Sequence, residues 1–373
     1  MLVGFIAIFL AYCYSLLVLF AVRGWIVHDK NAESDHSYPF CSVVIAARNE
    51  AASIKTTIES LLEQNYPQEC FEILVIDDHS TDNTKQILDA MVETAKNLKV
   101  FSSPEHIVGK KQALKHVLKF AHGDLLLFTD ADCEIGREWI ETYVAYASAY
   151  RGNLYFGNIQ PRINEKSSVA EKCAALDFTG ILGVQNGLAN IGHAFSCNGA
   201  NMCITRKFYN INYDTNESFS SGDDVFLLHT AKRTDRNSIH FIKNDNATVK
   251  TSVPHTFKEL FNQRCRWASK AGGYKDRDSI LVALIVYLYC FALTVTAGFA
   301  IFNNQIALVL FSFLFLTKLC IDLILFYVTR NQFQSKKYIW LAVPFECVYF
   351  LYITIVPIVS VFKSTTWKGR TIQ

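Results

Sequence analysis

Four long apolar runs constrain the fold of this 373-residue chain more than any other feature. One run opens the chain and three lie near its end, at residues 2–22, 279–302, 306–328 and 338–362. Each is close to the roughly 20 residues that a membrane-spanning helix needs. Between them the composition is that of a water-soluble protein. We therefore predict a soluble domain held between membrane anchors, with boundaries at residues 1–24, 25–277 and 278–373.

Basic residues beside the runs indicate which side of the membrane the soluble part occupies. Arg23 and Lys30 follow the first run, while Arg330, Lys336 and Lys337 lie between the last two. Lysine and arginine concentrate on the cytosolic side of spanning helices, so we expect this part to face the cytosol. The first run lacks the basic leader and cleavage site of a signal peptide, which favours an uncleaved anchor. We expect a multi-pass protein of the inner (plasma) membrane.

The last apolar run leaves the position of the C-terminus open. A full crossing puts the C-terminus outside, whereas Lys363, Lys368 and Arg370 favour the cytosolic side. Pro344 and Pro357 allow a re-entrant or surface-lying segment instead.

Two acidic residues, Asp322 and Glu346, fall within the apolar runs. An acid inside a membrane segment marks either a functional site or a pair with a neighbouring helix. The sequence leaves both interpretations open.

Strand-like and helix-like segments alternate in the first half of the soluble part. The predicted strands are short apolar runs at 41–47, 71–76, from Val100, and at 124–129. The predicted helices run from an Asn49 cap toward Gln64, over 82–96 with Ser80 or Thr81 as cap, and over 110–121. This alternation predicts an α/β fold whose parallel sheet is covered by helices on both faces.

Paired carboxylates end two of the predicted strands. Asp77 and Asp78 end the second strand, and Asp130 and Asp132 end the fourth. Ligands of open α/β sheets bind beyond the carboxyl ends of the strands, and a divalent cation offsets repulsion between carboxylates. Hard oxygen ligands suit Mg²⁺ or Mn²⁺. Helix capping is the alternative for Asp77 and Asp78, whereas Asp130 and Asp132 flank one residue and can reach one ion.

Two motifs in the second half each allow two interpretations. Asp223 and Asp224 open a helix-like run, where aspartate either interacts with the helix dipole or acts as a general base. Helical spacing places Gln263, Arg266 and Trp267 on one face, where an arginine holds an anionic group and an indole stacks on a sugar. A basic and aromatic belt beside a membrane gives the same pattern.

Bulk composition excludes some classes of partner and site. The net charge of +2 gives no support for binding nucleic acid. The 11 cysteines contain no C-x-x-C pair and show neither a zinc pattern nor a disulfide framework. Several lie inside apolar runs, which indicates a reducing compartment for the soluble part.

In their order along the chain, these motifs resemble those of family 2 glycosyltransferases. Residues 43–50 resemble the opening strand of that family, and 75–82 resemble its uracil-binding strand end. Residues 109–114 resemble its Gly-Lys-x-x-Ala-Leu segment, although Lys115 stands where many members have asparagine. Residues 129–132 resemble its Asp-x-Asp metal motif.

The second half of the soluble part extends the resemblance. Residues 198–201 resemble the acceptor-side segment, and 222–224 stand where the family has Gly-Glu-Asp, with Asp223 replacing the glutamate. Residues 263–267 match the Q-x-x-R-W signature of cellulose, chitin and hyaluronan synthase-like members. The membrane part is smaller than in the long-chain synthases, which does not support a self-built polymer channel.

The resemblance implies a GT-A fold and a set of site residues. The residues implied to bind the nucleotide sugar are Ala47, Glu50, Asp78, Lys110 and Asp130. Asp130 and Asp132 are implied to hold Mg²⁺ or Mn²⁺, and Asp224 to be the catalytic base. The residues implied to contact the acceptor or the diphosphate are Asn198, Gly199, Asp223, Gln263, Arg266 and Trp267.

The implied function is that of an inverting, metal-dependent hexosyltransferase in the lipid bilayer. Its donor is a nucleotide sugar, UDP-linked by the resemblance, and its acceptor is a hydroxyl of a saccharide or a lipid-linked molecule, in cell-envelope or polysaccharide synthesis. One alternative is a glycolipid-forming enzyme that transfers once instead of processively. Another is a non-catalytic sugar-nucleotide-binding protein, which should lack the Asp224 carboxylate. A transporter needs more spans and more intramembrane polar residues.

Overall fold

The computed structural model of the chain describes residues 2–27, 32, 38–212, 223–362, 365–367 and 370–372. The helices are α1 (Leu2–Ile26), α2 (Ile54–Leu62), α3 (Thr84–Val92), α4 (Lys110–Val117), α5 (Trp139–Tyr150), α6 (Val169–Asn190), α7 (Arg206–Asn212), α8 (Asp223–Thr234), α9 (Phe257–Ala268), α10 (Arg277–Ile301), α11 (Gln305–Thr329) and α12 (Ala342–Phe362). The strands are β1 (Cys41–Ala47), β2 (Phe71–Asp77), β3 (Leu98–Ser102), β4 (Leu125–Thr129), β5 (Glu134–Ile135), β6 (Leu154–Gly157), β7 (Ile159–Pro161), β8 (Asn201–Thr205), β9 (Ile239–Ile242), β10 (Val249–Thr251), β11 (Thr365–Trp367) and β12 (Arg370–Ile372).

A seven-stranded sheet in the order β3-β2-β1-β4-β8-β6-β9 forms the centre of the soluble domain. Its first four strands are parallel, as predicted. Strand β8, which was not predicted from the sequence, runs antiparallel to both β4 and β6, so the complete sheet is mixed. Every residue of β2 is buried, which shows that both faces of the sheet are covered. A smaller sheet joins β5, β10 and β7.

The predicted caps of the first two helices are wrong. Helix α2 begins after Ser53 and helix α3 after Asn83. Asn49 instead adopts a left-handed conformation with φ of 52°. Its Oδ1 accepts a hydrogen bond from the Thr81 amide at 2.8 Å. Asn49 therefore ties together the loops that follow β1 and β2, which leaves Ser53 to begin the helix.

Among the residues that the structure describes, four apolar segments are long enough to cross a membrane: α1, α10, α11 and Ile339–Phe362. Helix α1 packs directly on helix α6 of the soluble domain. A Cβ on Gly24 would lie 1.8 Å from the Gly187 carbonyl oxygen, so only glycine fits at this crossing. The Asn190 amide donates to the Gly24 carbonyl at 2.8 Å, and the Trp25 indole donates to the Gly183 carbonyl at 2.7 Å. The first anchor and the soluble domain thus share a packed interface.

The two acids inside the apolar helices pair with a lysine. The Lys318 ammonium lies 2.6 Å from both the Asp322 and the Glu346 carboxylates, and the Tyr14 hydroxyl donates to Asp322 at 2.7 Å. All these side chains are buried. The cluster joins α1, α11 and α12. This agrees with the interpretation that Asp322 and Glu346 pair with neighbouring helices.

Helix α12 runs alongside the soluble domain. Ala342 at its start is buried in a cluster that also contains Leu176 of α6 and Leu260 of α9. Farther along, the Tyr352 ring lies 6.3 Å from the Phe261 ring. Near the end of α12, the Val356 carbonyl accepts from the Cys265 thiol of α9 at 4.0 Å. Both ends of the helix therefore contact the domain.

Candidate active site

The ends of four neighbouring strands bring the predicted site residues to one edge of the sheet. Ala47 at the end of β1 lies beside Asp77 at the end of β2. Thr129 at the end of β4 lies beside Asn201, the first residue of the antiparallel β8. The acids after β2 and β4 and the loop before β8 thus emerge at the same edge.

The buried Asp78 carboxylate anchors the segment before α4. Its two oxygens each lie 3.2 Å from the Gly109 amide, which donates to them. Gly109 has φ of 99°, a left-handed conformation that favours glycine. The Arg48 guanidinium donates to the carbonyls of Asp78 and His79 at 2.7 and 2.6 Å, and the Asp78 amide donates to the Ala47 carbonyl at 2.8 Å. The strand end and the helix start therefore form one polar cradle.

Lys110 and Glu50 flank this cradle. The Lys110 ammonium, on the first residue of α4, forms an ion pair with Asp130. Glu50 is half-buried and accepts from the Ser53 hydroxyl at 3.1 Å. Its amide donates to the Thr84 hydroxyl at 2.8 Å, so Glu50 fixes the loop between β1 and α2. Lys110 joins the cradle to the Asp-x-Asp motif.

Asp132 is held by hydroxyl donors from the second sheet. The Ser252 hydroxyl donates to its Oδ2, and the Thr251 hydroxyl lies 3.3 Å from the same oxygen. In the described part of the chain, no group of three or more His, Cys, Asp or Glu residues could hold a metal ion. A site made only of protein ligands is therefore absent from that part. Two carboxylates do fit a Mg²⁺ or Mn²⁺ ion that takes its other ligands from substrate phosphates and water.

Asp224 is fixed at the start of α8, as predicted. Its Oδ2 accepts from the Gly199 amide at 3.1 Å and its Oδ1 from the Val225 amide at 2.8 Å. The Asn198 side chain accepts from the Ala200 amide at 3.0 Å, which shapes the loop that carries Gly199. The expected acceptor-side segment and the expected base are thus in contact. The side chain of Asp223 lies outside the described residues.

Helix α9 carries Arg266, whose charge interacts with Asp130 and Asp224. Burial lowers the pKa of the Arg266 guanidinium, while the charges of Asp130 and Asp224 oppose that shift. Burial also raises the pKa of Tyr274, and the Asp224 charge raises it further. Arg266 therefore lies within electrostatic reach of both Asp130 and Asp224.

The half-buried Gln263, Arg266 and Trp267 share α9. A second arginine of the same helix stacks on the indole: the Arg264 guanidinium lies 4.0 Å from the centre of the Trp267 ring. Burial opposes the charge of Arg264, but the Asp177 carboxylate outweighs that effect and raises the pKa of Arg264.

Residues 42–197 match the family model described as Glycosyl transferase family 2. This segment of the chain is therefore similar to a family 2 glycosyltransferase domain. Over 134 residues it is 31% identical to the glycosyltransferase AglE of Haloferax volcanii, covering 36% of this chain and 44% of that protein. Over 109 residues it is 35% identical to the beta-monoglucosyldiacylglycerol synthase of a Nostoc species, covering 29% of this chain and 23% of that one. The chain thus spans less than half the length of these relatives.

A solved structure resembles this chain over nearly its whole length. It is a mannosyltransferase from Pyrobaculum calidifontis in complex with GDP-Man and Mn²⁺. The identity is 18% and the TM-score 0.56, with 95% of this chain and 99% of that chain covered. The likeness concerns the fold alone, and it confirms the expected GT-A-like α/β architecture with its mixed sheet.

Several residues that organise the transferase site were missed in the sequence. Asn201 is completely buried, and its side chain accepts from the Trp139 indole at 2.8 Å and donates to the Asn158 and Ala247 carbonyls at 2.7 Å. Asn201 belongs to the Asn-Gly-Ala-Asn segment, so the sequence motif could have indicated its importance. Ser252 and Tyr274 belong to no motif, so only the three-dimensional contacts place them at the site.

Proposed function

We propose that the chain is an inverting glycosyltransferase that moves a sugar from a nucleotide sugar to a hydroxyl of a saccharide or a lipid-linked acceptor. The observation that carries this proposal is that the Asp-x-Asp motif and Asp224 meet at one edge of the sheet. Thr129, just before Asp130, pairs with Asn201, and the loop before Asn201 supplies the Gly199 amide that donates to Asp224 at 3.1 Å. Acids placed in this way suit a reaction in which a diphosphate leaves on one side while a hydroxyl is deprotonated on the other.

On the donor side, the Asp78 carboxylate would accept a hydrogen bond from the nucleobase. Its oxygens accept from the Gly109 amide, which fixes the carboxylate beyond the end of β2. Lys110 and Arg266 would bind the diphosphate. A Mg²⁺ or Mn²⁺ ion held by Asp130 and Asp132 would supply charge neutralisation at the leaving group. We propose a UDP-linked donor on the basis of the Asp78 motif.

On the acceptor side, Asp224 would take the proton from the attacking hydroxyl. Amides of Gly199 and Val225 hold its two oxygens and fix the carboxylate at the start of α8. A single positioned base is sufficient for an inverting transfer, because no covalent sugar–enzyme intermediate has to form. Trp267, half-buried beside Arg264, would offer its ring to the acceptor sugar.

We further propose that residues 1–24 and 278–373 anchor the catalytic part, residues 25–277, on the cytosolic side of the inner membrane. The packed contact of α1 with α6 at Gly24 and Gly187 supports an anchor that fixes the domain close to the bilayer. A single transfer to a lipid is the acceptor class that this placement favours. The relative from Nostoc, named a glycolipid synthase, supports the same class.

A donor screen tests the proposal directly. The purified full chain in detergent is given a panel of UDP- and GDP-linked sugars with Mn²⁺ and either diacylglycerol or a bacterial polar-lipid extract. We expect release of the nucleotide only when an acceptor is present, and a product whose anomeric configuration is opposite to that of the donor. Retention of configuration, or no transfer from any donor, contradicts the proposal.

A further inference from the structure

A cavity of about 490 Å³ lies where α8, the segment after α9 and the start of α10 meet. Its lining is unusually rich in charge. The cationic residues are Lys232, Arg233, Arg236, Lys275 and Arg277, and the acidic ones are Asp276 and Asp278. Positive charge therefore exceeds negative charge within one recess of the surface.

The two carboxylates are neutralised within the wall. Lys232, nearly buried, lies 2.9 Å from Asp276 and 2.7 Å from Asp278. Arg236 lies 2.9 Å from Asp278 as well. The Asp276 carboxylate also accepts from the Ser279 amide at 3.0 Å as the cap of α10. The negative charges of Asp276 and Asp278 are therefore balanced by Lys232 and Arg236, and they do not repel a bound anion.

Three cations of the lining have no carboxylate partner among the residues that the structure describes. Within the described part of the chain, Arg233, Lys275 and Arg277 form no ion pair, although all three line the cavity and are exposed. Arg277 is moreover the first residue of α10, where the positive end of the helix dipole adds to its charge. Cations gathered in this way favour a bound anion.

The cavity is lined both by the start of α10 and by α8, the helix that carries the proposed base. Arg277 begins a helix long and apolar enough to cross a membrane. Phe226 and His229 of α8 also line the cavity, and their rings lie 6.3 and 5.5 Å from the Tyr274 ring. The cavity therefore joins the start of a candidate membrane helix to the helix that carries Asp224.

We propose that this cavity binds the phosphate-bearing headgroup of the lipid acceptor and thereby holds the acceptor hydroxyl toward Asp224. The inference rests on the proposed function, because it names the chemistry of that enzyme's acceptor. Arginine and lysine together bind phosphate through charge-assisted hydrogen bonds. A neutral lipid would leave Arg233, Lys275 and Arg277 without a counter-charge.

Binding of a soluble anionic lipid tests the inference without any transfer reaction. The full chain in neutral detergent is titrated with dihexanoyl phosphatidic acid, with dihexanoyl phosphatidylcholine and with inorganic phosphate, and heats of binding are measured. Lys275→Gln/Arg277→Gln removes two unpartnered cations of the cavity. Lys336→Gln/Lys337→Gln is the matched control, because both lysines are exposed and lie in the link between α11 and α12, outside the cavity lining.

We expect wild type to bind phosphatidic acid more tightly than phosphatidylcholine or free phosphate. The cavity variant should weaken that binding by about tenfold or more, since two charge-assisted contacts are lost, and the control should leave it unchanged. Equal weakening by both variants would show a general surface-charge effect and overturn the site. If wild type bound inorganic phosphate as tightly as phosphatidic acid, the inference that the cavity binds a lipid would be wrong. If the chain bound phosphatidic acid in this way but transferred no sugar, the proposed function would be contradicted and the lipid-binding cavity would not.

Discussion

The Arg264 guanidinium donates to Asp177 Oδ2 at 2.6 Å, and both side chains are buried. The other oxygen of the same carboxylate, Oδ1, accepts from the Tyr349 hydroxyl at 3.0 Å. One carboxylate on α6 therefore joins α9, which carries Arg266, to the apolar helix α12. This contact couples the position of the proposed diphosphate-binding helix to the membrane part.

Removal of the Asp177 charge should destabilise the protein strongly. Asp177→Asn leaves the Arg264 cation buried without its counter-ion, which typically costs about 3–5 kcal/mol. Thermal unfolding in detergent should show a large drop in Tm. Glu63→Gln is the control, because its ion pair with Arg137 is exposed and worth less than about 1 kcal/mol. Equal melting of Asp177→Asn and wild type would show that the buried pair is not stabilising.

Donor binding should depend on a divalent ion through Asp132. Asp132→Asn keeps an acceptor for Ser252 but loses the charge that would bind the ion. We expect Mn²⁺ to increase the affinity of the wild type for UDP and to have little effect on the variant, measured by calorimetry. Asp89→Asn, an exposed acid on α3, is the control. A wild type whose UDP affinity and turnover are unchanged by EDTA contradicts the metal assignment.

The soluble domain should be inaccessible from outside the cell. Ala52→Cys is exposed beside α2, and Gln305→Cys is exposed at the start of α11, in the link between two apolar helices. An impermeant maleimide added to intact cells should label Gln305→Cys at once and Ala52→Cys only after permeabilisation. Labelling of Ala52→Cys in intact cells would invert the topology and remove the supply of cytosolic nucleotide sugars.

The first four strands of the central sheet were predictable from local sequence, whereas the contacts between distant segments were not. Apolar runs and Asp77, Asp78, Asp130 and Asp132 located β1, β2 and β4 and their shared edge, because those signals are contiguous. The antiparallel β8 depends on pairing with β4, about 75 residues earlier in the chain, which no local pattern encodes.

The ion pairs made by the apolar helices could not be predicted either, because their partners are distant in the sequence or lie on different helices. Lys318 stands inside an apolar run, and its partners Asp322 and Glu346 come from two helices. Arg264 lies within the Q-x-x-R-W motif, but its partner Asp177 stands 87 residues away on α6. Such pairs are set by tertiary packing, so composition and spacing reveal the residues without revealing their partners.

Acidification should weaken the junction of α8 with α10 through His229. Burial lowers the pKa of His229 from its ordinary value of 6.5, and its ring nitrogen lies 2.9 Å from the Ser279 hydroxyl. Below pH 6.5 the unfolded chain therefore binds a proton at His229 more readily than the folded chain does. The contribution of neutral His229 to the free energy of unfolding is complete above pH 6.5 and is lost as the pH falls below that value.

The Tm of His229→Gln should depend less on pH over this range. His106→Gln, an exposed control, should follow wild type, and an unchanged slope in His229→Gln would contradict the assignment.

Sugar transfer by Asp224→Asn, with UDP affinity measured on the same preparation, tests the account most directly. Asparagine can still accept from Gly199 but cannot take a proton, so transfer should fall by about 10²–10⁴-fold while UDP binding stays close to wild type. Asp223→Asn, the neighbouring control, should keep measurable transfer. If Asp224→Asn transfers sugar at the wild-type rate, or Asp223→Asn alone is inactive, the assignment of Asp224 as the base is wrong.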